Sequence, residues 1–359
     1  MRNIVMPFHV VKRLEISKSR ELLYRFSAVM LALLSCGLML LIIGYDPLEV
    51  YGTVLNGALG TETAIKETIK HTCPLLMAAL GVSIAFRMKF WNIGGEGQIA
   101  VGAIACSYFA YRHPELPAIS MLVFMTLSGI VAGGLFAAIP AYFKTRYGTN
   151  ETLFTLMLNY VAVYAIQYFR EGPWRDPASM GFPIMPRFPK HARIPTVWGV
   201  HFGWIVALVL VVLIYLYVKH TKQGYELTVV GENQRTAEYA GMPVKHIILR
   251  TMFLSGAIIG LTGVFQVAGA DRQLTETVSG GVGFSAIIVA WLGRLSAPAM
   301  LLVSILFGIL TKGASTLETI LKIPASMSSI IQGVLLFFVL GSEFFIRYKM
   351  QLTARGGIK

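Results

Sequence analysis

Residues 118–141 read AISMLVFMTLSGIVAGGLFAAIPA, an unbroken run without a single Asp, Glu, Lys or Arg. A bilayer core takes about 20 apolar residues in helical form. A strand with one wet face would alternate apolar and polar residues, and this run does not. In hydrocarbon the backbone must satisfy its own polar groups, so such a run is a spanning helix.

Nine further segments read the same way. With the first they lie near 27–45, 71–86, 94–111, 118–141, 152–169, 198–218, 247–269, 284–293, 297–312 and 329–346. The segment at 71–86 is short and carries Pro74, and that at 284–293 is too short to cross unaided. The whole chain agrees with them. Of its 359 residues 55% are hydrophobic and only 14% charged, against roughly 25% charged in a soluble domain. Mean hydropathy is +0.64. A cytosolic globular enzyme and a disordered protein are both excluded.

The net charge of +13 is topological in origin. Lys and Arg sit in short clusters between apolar runs, with no basic stripe to receive nucleic acid. With the N-terminus inside, about two-thirds of the 31 Lys and Arg fall in segments assigned to the cytoplasm, as cytoplasmic retention of basic residues requires. The expected architecture is therefore an all-α polytopic membrane protein of about ten helices, some short or broken, with both termini cytoplasmic. It comprises an N-terminal segment (1–26), a transmembrane domain (27–346) with an outer loop at 170–197 and an inner loop at 219–246, and a tail (347–359). Residues 1–26 carry Arg2, Lys12, Arg13, Lys18, Arg20 and Arg25 and no cleavage site follows, so they read as an uncleaved anchor. Ten crossings with an odd number in each half make the halves antiparallel, an inverted five-plus-five arrangement frequent in transporters. The outer loop holds Pro173, Pro177, Pro183, Pro186, Pro189 and Pro195 and reads as a structured cap or a mobile lid. Cys36, Cys73 and Cys106 all lie in apolar stretches and read as small buried hydrophobes.

Four polar stretches interrupt this pattern. In Phe90-Trp91-Asn92-Ile93-Gly94-Gly95-Glu96-Gly97-Gln98 the glycines allow close packing and a break in the helix. Asn92, Gly94, Gly95, Glu96, Gly97 and Gln98 form either a gate or hinge of a transport path or a helix cap with Glu96 at its own helix N-terminus. In the second stretch Asn150 is an N-cap, and Thr152, Thr155 and Asn159 share one helix face while Tyr160, Tyr164 and Gln167 share another. Asn159 glues helices together or meets a polar solute. The tyrosines meet a planar ring or form an interfacial aromatic belt. Third, Asn233 starts a short helix that Gly241 and Pro243 end, with Ala237, Tyr239 and Ala240 as its apolar contacts. Two turns are unstable alone in water, so this helix docks on something. Fourth, Gly256, Gly260 and Gly263 share a face for close packing, beside a polar stripe of Ser255, Thr262 and Gln266. Trp291, in the broken pair around Gly293-Arg294, either stacks on a ring or anchors an interface.

For a solute path we select Asn159, Tyr160, Tyr164, Gln266 and Trp291. An amide can hold a base edge bidentately, and an aromatic face can stack on it. The sequence has no G-x-x-x-x-G-K-[ST], HExxH or GxSxG, and no pairing of nucleophile and base on facing helices. Expected acidic residues such as Glu96, Asp271 and Glu343 sit near span ends rather than forming the paired charges of an ion-driven pump.

Together, Phe90 to Gln98, Asn150-Glu151 with Met157-Leu158-Asn159-Tyr160, Gly231-Glu232-Asn233 with Ala240-Gly241-Met242, and Leu254-Ser255-Gly256-Ala257 resemble the permease subunits of bacterial ABC importers, in the simple-sugar and nucleoside branch related to ribose and branched-chain amino-acid permeases. The resemblance runs from about residue 27 to 346. It implies an importer in the plasma membrane, with a second permease subunit as partner, often in a heterodimer. A cytoplasmic ABC ATPase binds ATP and Mg, and an extracytoplasmic substrate-binding protein delivers the solute. No enzymatic activity and no cofactor belong to this chain. The short inner helix would be the coupling element seated on the ATPase, through Asn233, Arg235, Glu238, Tyr239 and Gly241. Asn150-Glu151 and Gly172-Pro173 look most like the purine-nucleoside type, with sugar remaining open. The alternative is an ion-coupled secondary transporter of a small polar solute, whose uptake would survive ATP depletion.

Overall fold

A computed structural model describes residues 8–13, 17–324 and 326–352. The remainder of the expected cytoplasmic segments, residues 1–7, 14–16 and 353–359, lies outside the described residues. In chain order the elements begin with β1 (Phe8–Lys12), α1 (Lys18–Ile43), α2 (Pro47–Leu59), α3 (Glu62–Arg87), α4 (Gly95–Arg112), α5 (Ala118–Tyr147) and α6 (Glu151–Glu171). They continue with β2 (Thr196–Val197), β3 (Val200–His201), α7 (Gly203–His220), α8 (Lys222–Glu232), α9 (Gln234–Tyr239) and α10 (Val244–Phe265), which runs on as a π-helix to Asp271. The last are α11 (Val282–Leu292), α12 (Ala297–Ile320), α13 (Ser326–Arg347) and β4 (Tyr348–Leu352).

Among the described residues seven helical stretches are long and apolar enough to cross a membrane: Phe26–Ile43, Glu62–Arg87, Ala118–Tyr147, Glu151–Glu171, Gly203–His220, Val244–Asp271 and Ala297–Ile320. The other three expected segments are also helical. They are α4, whose apolar run is diluted by Glu96, Gln98 and Arg112, the 11-residue α11, and α13.

Several boundaries differ from expectation for physical reasons. Pro74 does not shorten the second span: α3 is one 26-residue helix passing through it. Neighbouring helices surround α3 and hold its backbone in place, which is how spanning helices tolerate proline. Residues 47–59, which lie outside the expected spans, form α2, opened by Pro47 in the first turn with Asp46 Oδ1 accepting from Leu48 N at 2.8 Å. The sixth span begins at Gly203, because residues 196–201 close a small β2–β3 ribbon. The ninth continues eight residues further than expected, to Ile320.

The chain divides into two compact units. In the first, formed by the chain up to Gly57 and from Gly313 onward, α1 packs on α13. Ala28, Ala32, Cys36 and Leu40 recur every four residues as its buried stripe. β1 and β4 pair antiparallel, with Phe8 opposite Leu352.

The second unit, Ala58–Lys312, has α3, α4 and α10 as its centre. α10 lies against α5 through small residues. A Cβ added at Gly133 would stand 2.5 Å from the Gly256 carbonyl oxygen, and one at Gly260 would collide with the carbonyl of Gly129. Here absent side chains let two backbones touch, which is how apolar helices associate without a hydrophobic driving force. Gly260→Ala will therefore lower the midpoint of thermal unfolding in detergent, costing more than about 2 kcal/mol. Gly52→Ala, where a Cβ would meet nothing within 4 Å, will leave the midpoint unchanged or raise it. Equal effects at the two positions would refute the packing argument.

The loop at 170–197 is packed against the helices. Trp174, Met185, Phe188 and Ala192 are buried, Trp174 stacks on Phe169 at 4.1 Å, and Phe188 N donates to Arg272 O at 2.8 Å. All three cysteines are free and buried.

Candidate functional site

The Phe90–Gln98 segment links α3 to α4 and forms a knot of side chains that reaches three other helices. Asn92 Oδ1 accepts from Gly94 N at 3.0 Å, folding the chain back ahead of α4. The Asn92 amide also pairs reciprocally with that of Gln98, at 3.2 and 3.0 Å. Ser255 on α10 stands 3.5 Å from Asn92 Nδ2 and donates to Gly81 O on α3 at 2.8 Å. From α6, Asn159 accepts from Gly97 N at 2.8 Å and donates to Ile93 O at 2.9 Å, while Thr155 accepts from Ile93 N at 3.2 Å. Asn92, Glu96, Gln98, Thr155, Asn159 and Ser255 are all buried.

Glu96 does more than occupy its own helix N-terminus. Its Oε1 accepts from Gly283 N at 2.6 Å and Phe284 N at 3.2 Å, so it caps α11. The contact needs glycine, because a Cβ at Gly283 would collide with the Glu96 backbone nitrogen. A carboxylate on two orphan N–H groups in a dry environment makes charge-assisted bonds and sits at the positive end of the helix dipole. The polar residues of this knot are thus partnered, and together they join α4 to α6, α10 and α11.

The short helix between α7 and α10 forms as expected. Asn233 Oδ1 caps α9 by accepting from Arg235 N at 3.0 Å and Thr236 N at 3.2 Å. Gly241 takes the left-handed conformation, φ +76°, and Met242 N donates to Ala237 O at 3.0 Å. Of the three expected apolar contacts, one is made within this chain. Only Ala237 is buried; Ala240 is exposed and Tyr239 is 93% exposed, because in a six-residue helix only one side-chain row faces inward. Asn233, Arg235, Glu238 and Gly241 are exposed as well. Glu226 and Arg250 form an ion pair at 2.9 Å between α8 and α10. A cavity of about 140 Å³ beside α9 is lined by Lys89, Lys144, Glu151, Gln234, Glu238 and Lys245, with Lys144 and Glu151 paired at 2.8 Å.

The five residues selected for a solute path do not come together. Asn159 is buried and both ends of its amide are used. Tyr160 and Tyr164 lie exposed on the opposite face of α6. Gln266, in the π-turn, donates to Asp271 Oδ1 at 3.4 Å. Trp291 stacks on Trp91 with ring centroids 5.6 Å apart and planes 21° from parallel, and Phe86 tilts against both. Sequence reasoning did not pair Trp91 with Trp291 or Glu96 with α11. The Gly281-Val282-Gly283 start of α11 was the one local signal for the latter.

Comparison with known proteins supplies a context for these features. Residues 65–340 match the sequence profile described as branched-chain amino acid transport system / permease component. The glucose ABC transporter permease protein TsgB13 of Haloferax volcanii is 33% identical over 90% of this chain and 88% of its own length. The guanosine ABC transporter permease protein NupP of Bacillus subtilis is 31% identical over 97% and 99%. The nucleoside ABC transporter permease protein NupB of Lactococcus lactis is 28% identical over 90% and 92%.

Proposed function

We infer the transport cycle from one premise: this chain belongs to the branched-chain amino acid transport system permease family. It is a multi-pass permease subunit of an ABC transporter and not itself an enzyme. The solute we assign is a nucleoside or a simple sugar, imported across the plasma membrane by alternating access. The observation that carries this is similarity over nearly the full length of relatives named for guanosine, nucleoside and glucose transport. In our reading the chain crosses the bilayer ten times as two inverted sets of five, keeps both termini in the cytoplasm, and pairs with a second, related permease. ATP and Mg are held by a cytoplasmic ABC ATPase, and an extracytoplasmic substrate-binding protein brings the solute.

The geometry suggests how force would travel. α9 exposes Arg235, Glu238 and Tyr239 to a partner, while the short Ala240–Pro243 link leads directly into α10. α10 carries Ser255 into the knot of Asn92 and Gln98, which is bonded in turn to α6, and through Glu96 to α11. A displacement of α9 by the ATPase would therefore reach the helices carrying Asn159, Tyr160, Tyr164 and Trp291. Packed networks of this kind switch between discrete arrangements rather than deforming smoothly. Gln266 lies at the far end of α10, within reach of the same movement.

The test is uptake by the reconstituted complex with its ATPase and receptor. Radiolabelled guanosine or glucose should accumulate only with ATP present, and unlabelled competitor of the true class should abolish the signal. Uptake that persists without ATP but collapses with the ion gradient would overturn this reading in favour of secondary transport.

A further inference from the structure

The loop at 170–197 carries a feature that its packing does not explain. Met180 is 96% exposed, Phe182 68% and Ile184 48%. These side chains project from a turn that is heavily bonded to itself. Asp176 N donates to Ile184 O at 2.8 Å, Phe182 N to Ser179 O at 2.9 Å, and Ser179 Oγ bridges to Phe182 O at 2.6 Å. Asp176 Oδ1 accepts from Ala178 N at 2.9 Å, and the Arg175 guanidinium donates to Gly181 O. Met180 and Gly181 both hold positive φ to make the tip. The base is fixed by buried Trp174, Met185 and Phe188, and by Arg193 Nε donating to Phe188 O at 2.9 Å. A preorganised turn thus holds three large apolar side chains in the open, and such patches mark contact sites.

We propose that residues 175–184 form a docking knob for the extracytoplasmic substrate-binding protein, with Met180, Phe182 and Ile184 entering an apolar recess rimmed by acidic residues. The proposal rests on the transport reading above, which puts the α6–α7 connection on the receptor side. Two observations favour a protein over the bilayer. Arg175 and Asp176 belong to the same turn and bond its backbone, so the tip cannot enter hydrocarbon without taking charges with it. An apolar centre in a polar rim is instead the ordinary anatomy of a protein interface. The charge of the loop selects the partner's rim: Arg170 is taken up by Glu276 at 2.7 Å and by Glu171, and beyond that pair Arg175, Arg187, Lys190 and Arg193 outnumber Asp176. Three residues are a small part of a standard interface, but rigid apolar anchors at its centre carry most of the affinity.

The experiment uses the complete transporter in nanodiscs. Its substrate-binding protein is titrated by biolayer interferometry against wild type and the Met180→Asp/Phe182→Asp double variant. The receptor dissociation constant should rise at least tenfold. Transport should be lost at low receptor concentration and recover at high, with receptor-independent ATP hydrolysis and the unfolding midpoint unchanged. Unchanged receptor affinity in the folded double variant would overturn the knob. A Phe182→Trp variant quenched by spin-labelled phosphatidylglycerol in the receptor-free complex would do the same, by assigning the tip to lipid. A wild-type complex that moves no solute with receptor present would strike the transport reading itself.

Discussion

Glu96→Ala will reduce solute uptake by the reconstituted complex more than tenfold and lower its unfolding midpoint, whereas Glu96→Gln will retain part of both. The order follows from what Oε1 does. It accepts from Gly283 N and Phe284 N, two N–H groups at the start of α11 that have no partner within their own helix. Alanine leaves both orphaned next to a buried backbone contact. Hydrogen bonds to a charged acceptor are worth about 1.5–3 kcal/mol each, and an unsatisfied buried donor costs about 1–3 kcal/mol. Glutamine keeps an acceptor oxygen at the same reach but gives up the charge facing the helix dipole, worth up to about 2 kcal/mol in partly buried geometry. Differential scanning fluorimetry of the purified complex, read beside initial uptake rates, checks both halves. If Glu96 worked by taking up and releasing a proton, glutamine would be as inactive as alanine while the unfolding midpoint barely moved. That outcome would refute a capping role.

The pairing of Glu96 with α11 also shows where reading the sequence stops. What depends on neighbours a few residues away was legible. A charge-free run at 118–141 could only be a spanning helix. Asn150 and Asn233 announced their caps, which the structure forms with Leu153 N and with Arg235 N and Thr236 N. The period of α6 separated a face with Thr155 and Asn159, found buried, from one with Tyr160 and Tyr164, found exposed. What depends on distant neighbours was not legible. Gly283 lies 187 residues from Glu96, and no local pattern names it as the partner. Pro74 looks like a break because a lone helix would suffer there, but α3 is packed on all sides. α2 escaped notice because Tyr51, Gly52, Thr53, Asn56 and Gly57 interrupt its apolar residues, although Asp46-Pro47 was a fair start signal. The phase of α9, which decides whether Ala237 or Tyr239 faces inward, is hidden from the local pattern for a related reason. Six residues are too few to define an apolar stripe, so Ala237 and Tyr239 looked alike until tertiary packing chose one.

That phase leads to the second large effect. Glu238→Ala/Tyr239→Ala will abolish most transport and most solute-stimulated ATP hydrolysis, while the isolated permease unfolds at the wild-type temperature. Stability is spared because Tyr239 is almost wholly exposed and Glu238 is on the surface too, and exposed substitutions away from special features stay within about 0.5 kcal/mol. Transport is lost if these are the side chains that meet the ATPase. Removing a large exposed aromatic from the centre of a protein interface typically costs about 2 kcal/mol or more. The argument separates contact from support within one helix. Asn233→Ala strips the cap from α9 and should cost about 1 kcal/mol of local order, giving a weaker and temperature-dependent coupling defect. Ala237→Glu forces a carboxylate beneath the helix, where its desolvation is unpaid, and should destabilise the permease before any partner is added. Three variants within seven residues should therefore fail in three distinguishable ways: at the partner, in the helix, and in the core. Normal coupling in the double alanine variant would mean that the driving force enters elsewhere, and the exposed row of α9 would need another explanation.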